Sequence, residues 1–138
     1  MASNVVDFQN QLGNFVTDVK KSHVKFVLRV AEAAHREAYV VTPIDTSRAM
    51  SGWVASVNVP FLEEPNHTPG SKGSTRAEAY RINEESIKTA ADVYRFGDTL
   101  YIRNNVPYIE VLEGGSSKQA PNGMMTFALL AAADEMSR

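Results

Sequence analysis

From Val5 to Val41 the chain carries no proline, and its apolar residues return at helical intervals. Phe8, Leu12, Phe15, Val19, Phe26, Val30, Ala34 and Val41 fall mostly three or four positions apart, with Ser22 and His23 filling the one gap. This spacing predicts one long helix over 1–41. Pro43 ends it, because the residue before a proline avoids the α region. A straight helix over this span is about 55 Å long at ~1.5 Å per residue. A compact domain of 138 residues is roughly 35–40 Å across. So either the helix breaks, with Gly13-Asn14 the natural place, or one end overhangs the body. An overhanging end bearing Val5, Val6 and Phe8 needs a partner to cover it. Val24 and Leu28 lie off the main stripe and point to a second buried face.

The remainder predicts a small α+β domain. "TPIDTSRAM" (42–50) is a turn in which Asp45 and Thr46 can bond their own backbone. "GWVASVNVPF" alternates, with Trp53, Ala55, Val57 and Val59 on one face and Val54, Ser56 and Asn58 on the other, as in a half-buried strand. Residues 62–75 hold two prolines and two glycines and read as an extended loop. Thr75 can cap a mid-chain helix running to about Phe96, with Ala79, Ile82, Ile87, Ala90, Ala91 and Val93 inward. "TLYIRNNV" is a second strand. Pro107 opens a short helical turn that Gly114-Gly115 closes, and "MMTFALLAAADEM" is a C-terminal helix. The expected architecture is a single domain, 1–138, with a small, mainly antiparallel sheet. Two strands alone are marginal, so further strands are expected near 63–75 and 106–119, or from a neighbouring subunit.

Composition narrows the function classes. A formal net charge of -2 and a pI near 5.9 argue against a dedicated nucleic-acid binder, yet suit a wall past which DNA slides. The chain has no cysteine, so disulfides and thiolate chemistry are excluded. Neither a signal peptide nor an apolar run long enough to span a membrane is visible. Glu110 and Glu113, three apart on one helical turn, could hold a metal or act as an acid/base pair, but helix surfaces routinely carry such pairs. "GGSSK" lacks the spacing of a phosphate loop, which needs its lysine directly before the hydroxyl. His23 and His35 sit several turns apart and cannot share a metal, and Ser47 and Ser51 lack a nucleophile-elbow context. No cofactor or catalytic set is expected.

Two blocks carry a family resemblance: "TPIDTSRAMSGW", and "GDTLYIRNNVPYIEVLEGGSSKQAPNGMM" some fifty residues later. Together they resemble the neck proteins of tailed bacteriophages, called tail completion, tail terminator or head–tail joining proteins. The family pattern runs T-P-[VI]-D-T-G-R…W, then N-N-x-P-Y, then L-E-x-G-x-S-K-Q-A-P-x-G-M and a closing helix. The match covers about 42–135. Ser47 stands where glycine is usual, and Gly114-Gly115 replaces an aromatic-glycine pair.

The resemblance implies a structural virion protein, not an enzyme. Such a protein is made in the host cytoplasm and forms a homo-oligomeric, usually hexameric, ring at the head–tail junction. The ring caps the tail tube, meets the head connector and lets DNA through its bore. On this reading Arg48, Trp53, Tyr108, Glu110, Glu113, Lys118, Met124 and Met125 are the expected subunit or partner contacts. His67 and Lys72 lie in the loop expected to reach the tail-tube protein or the connector. The alternatives are a head-closure or adaptor ring on the portal side and, more remotely, a small metal-dependent hydrolase using Glu110 and Glu113 or a toxin or nucleic-acid-binding module, against which the acidic pI argues.

Overall fold

A computed structural model describes residues 2–43, 48–63, 76–115 and 123–138. It contains α1 (Ala2–Val41), a 3-10 turn (Met50–Gly52), β1 (Trp53–Val57), α2 (Arg76–Val93), β2 (Leu100–Asn104), α3 (Ile109–Glu113) and α4 (Met125–Met136). The Thr75 cap and the 64–75 part of the loop lie outside the described residues, as do Asp45 and Thr46.

α1 is unbroken through Gly13 and ends where Pro43 requires. The Thr42 hydroxyl donates to the Ala38 carbonyl at 2.6 Å, satisfying one of the acceptors that a helix end leaves open. The overhang is large: every residue from Asn4 to His23 is exposed. The face that α1 turns to the core differs from the main apolar stripe. Deepest burial falls on Ala31, His35, Ala38 and Tyr39, in line with Val24 and Leu28, the second face noted above. Alanines there let neighbouring elements approach closely. On the main stripe, Phe26, Val30 and Ala34 are half-buried, and everything before them is bare.

The core gathers at the C-terminal end of α1. Ala38, Tyr39, Met50, Trp53, Ala79, Met124 and Ala128 form one cluster, with Val41, Tyr80, Ile102, Ile109 and Leu112 packed against it. α4 runs antiparallel to α1: Arg29 meets Glu135 at 2.8 Å at one end, and Ala128 joins Ala38 and Tyr39 at the other.

β1 and β2 pair antiparallel, with Trp53 opposite Asn104 and Val57 opposite Leu100. They are the only strands among the described residues, and the 106–115 stretch expected to add one forms turns and α3 instead. Helices close the outer edge of β1. The Ala55 amide donates to the Ser86 hydroxyl of α2 at 2.9 Å, and His35 Nε2–H of α1 donates to the Trp53 carbonyl at 2.8 Å. The outer edge of β2 has no strand partner among the described residues. Val59 was expected inside but is 72% exposed. The cause is Asn58, which takes a φ of 65° and turns the chain out of the strand. Its side chain then ties Asp98 and the Thr99 amide, both at 3.0 Å. The Asn58 amide first, and the Arg95 backbone N–H second, hold the Asp98 carboxyl below its ordinary pKa.

His35 carries a pH consequence. Burial holds its pKa below the ordinary 6.5, opposed by the bond to Trp53. The folded chain therefore binds this proton less readily than the unfolded one. Its contribution to stability is intact above pH 6.5 and is lost as pH falls through the folded-state pKa. The urea midpoint is expected to drop between pH 7.5 and 5. In His35→Gln, which keeps a donor near the Trp53 carbonyl, that drop should shrink.

Candidate functional site

The two blocks that carry the family resemblance meet in space. Asn104 Nδ2 donates to the Ala49 carbonyl at 2.8 Å, and its Oδ1 accepts from the Val106 amide at 3.1 Å. One side chain thus joins the end of β2 to the turn before β1. Gly52 allows this closeness: a Cβ there would sit 2.9 Å from Asn104 Oδ1 and 3.0 Å from Val106 Cγ2. The adjacent Asn105 reaches the other way, donating to the Phe61 carbonyl at 2.6 Å and the Glu63 carbonyl at 3.1 Å. It anchors the start of the 62–75 loop. Arg48 lies over the Tyr108 ring, 5.6 Å from its centroid, so two of the expected contact residues stack on each other.

α3 follows, and Gly114-Gly115 closes it. The Gly114 amide donates to the Glu110 carbonyl and the Gly115 amide to that of Leu112, both at 3.0 Å, with Gly115 at φ 84°. Glu113 then reaches across to the start of α4. Its carboxylate accepts the Met124 amide at 2.8 Å and the Met125 amide at 3.0 and 3.1 Å. These are the open donors at the start of α4, whose own N-cap, Met124, supplies no side-chain bond. A carboxylate there also meets the positive end of the helix dipole. Gly123, at φ 77°, makes room: a Cβ would collide with the Glu113 carbonyl oxygen and come within 2.9 Å of Oε1.

The expected contact residues therefore separate. Trp53 and Met124, at 4% and 0% exposure, are core residues of the single chain and not surface contacts. Trp53 belongs there because its Nε1–H finds the Thr42 hydroxyl at 2.8 Å. Glu113 is an internal cap. Arg48, Tyr108, Glu110 and Met125 remain at least partly exposed around α3 and the start of α4. Lys118, His67 and Lys72 lie outside the described residues.

Glu110 and Glu113 both line a cavity of about 280 Å³ beside Trp53, Asn104 and Met125, but Glu113 is engaged by the two amides, and no three His, Asp or Glu side chains converge among the described residues. Among those residues no helix is long and apolar enough to cross a membrane. A cleft of about 320 Å³ between α1, α2 and the end of α4 was not foreseen. Arg29, Glu32, His35, Arg36, Tyr39, Glu84 and Glu135 line it, mixing both charges, with Arg29 and Glu135 already paired.

The asparagines and Glu113 are what sequence reasoning missed. Asn104 had a local signal, since an asparagine two residues before a free amide is a turn-former. Asn83 had none: it is fully buried in α2, donating to the Met50 carbonyl at 2.7 Å and the Ala79 carbonyl at 2.8 Å. Comparison with protein-family models, curated proteins and solved structures returned no match.

Proposed function

We propose that the protein is a structural subunit of a tailed-phage neck, forming a homo-oligomeric ring that caps the tail tube and joins it to the head connector. The observation that carries its role as an assembly subunit is the half of α1 that leaves the body with its apolar stripe bare. A chain that works alone rarely exposes so much contiguous apolar surface. The resemblance of 42–135 to neck proteins supports the phage setting. The hydrogen bonding of its two blocks into one unit fits a pattern that serves structure. The edge of β2, which has no strand partner among the described residues, adds a second surface that a neighbour can complete. A ring reading also suits the mild acidity, which repels DNA moving through a bore.

An amber mutation in the phage gene tests this, with electron microscopy of the lysate. Filled heads beside unattached tails, some of abnormal length, are expected. Normal tails beside heads that have lost DNA would move the protein to head closure. Intact infectious particles would sink the neck role.

A further inference from the structure

The free half of α1 carries Val5, Phe8, Leu12, Phe15 and Val19 at intervals of three, four, three and four. That alternation averages 3.5 residues, the period of a seam packed along another helix. All five are about half exposed or more, from Val19 at 48% to Phe8 and Phe15 at 64%. Asp7 and Asp18 are the only charged residues from Ala2 to Val19. With Val6 and Val16 beside them, these side chains leave on the order of 600 Å² of apolar surface, against ~800 Å² on each side of a standard interface. The same stripe continues into Phe26, Val30 and Ala34, which the body half-buries, so the bare seam prolongs a packing face already in use.

A second helix face on this chain is also bare. α4 has no charge from Met125 to Ala133, and Met125, Leu129 and Met136 are exposed along one side. A helix apolar all round is normally buried all round. The two faces cannot cover each other within one chain. α4 lies along the C-terminal half of α1 and ends beside Arg29, short of the free seam.

We infer that the free half of α1 from one copy packs on the outer face of α4 of the next. The seam's spacing calls for a helix, and a second copy of the chain brings a bare apolar one. Because the two surfaces differ, the contact is head-to-tail, and repeating it closes a ring or extends a filament. The inference rests on reading the protein as an assembly subunit, and it names the surfaces that meet.

Sedimentation velocity of the purified chain tests it, with two charged variants: Phe8→Glu with Phe15→Glu, and Leu129→Glu with Met136→Glu. All four positions are exposed, so circular dichroism of the folded monomer should be unchanged. The parent should sediment as a species larger than a dimer, and each variant alone as a monomer. An equimolar mixture of the two should form a dimer and nothing larger, since one intact α1 seam and one intact α4 face remain between them. If the α4 variant assembles like the parent while the α1 variant does not, the seam pairs with another α1 and the inference is overturned. It is equally overturned if both variants assemble normally, or if the parent stays monomeric at every soluble concentration. A parent that passes this test in a phage whose amber mutant makes normal particles would keep the contact and sink the neck role.

Discussion

Gly123→Ala is expected to destabilise the protein by roughly 3 kcal/mol, a large effect for a single methyl group. Two costs combine. Position 123 sits at φ 77°, in the left-handed region that a side chain disfavours. Its Cβ would also collide with the Glu113 carbonyl oxygen, a backbone atom that cannot rotate aside. The strain falls on the contact that starts α4, because the same Glu113 caps Met124 and Met125. The fall in urea midpoint measures the loss. Glu113→Gln separates the two causes: it leaves one side-chain acceptor for two amides and removes the charge, for about 1–2 kcal/mol. If Gly123→Ala proves no worse than Glu113→Gln, the backbone at 123 is not held as described.

This connector shows where sequence reading stops. Gly114-Gly115 was legible as a helix stop, since glycine ends helices by local backbone freedom. Glu113 was not legible. Three residues from Glu110 it looks like half of a surface pair, and only the folded path brings the Met124 and Met125 amides to it. The same limit applies to α1. Its period and its end at Pro43 follow from local rules, so the helix could be foreseen. Which of its two apolar faces meets the core could not, because a face covered by its own chain and one left for a partner are both apolar. The larger side chains, Phe8 and Phe15, are on the bare face, and the core face at Ala31 and Ala38 is built for close approach. β1 was legible from its alternation until Asn58, whose left-handed backbone redirects the chain.

Trp53→Ala is expected to cost about 3–5 kcal/mol, the range for deleting a large buried aromatic side chain. Against a total stability of ~5–15 kcal/mol, that loss leaves a marginal fold. The ring is 4% exposed in the cluster where α1, α2, α4 and the sheet meet, so no neighbour can leave without opening the others. Its Nε1–H bond to the Thr42 hydroxyl runs on to the Ala38 carbonyl, tying the end of α1 to β1. Trp53→Phe keeps most of the packing and loses that bond, for about 1–2 kcal/mol. The bond from His35 goes to the Trp53 backbone carbonyl, so it survives both changes, and the acid-sensitivity of stability should survive with it. Far-ultraviolet circular dichroism must follow unfolding, because Trp53 is the single tryptophan and both variants lose its fluorescence. Equal losses for Ala and Phe would mean that the hydrogen bond, not the buried ring, holds the junction. A Trp53→Ala chain as stable as its parent would place Trp53 on a surface after all, where a partner could use it.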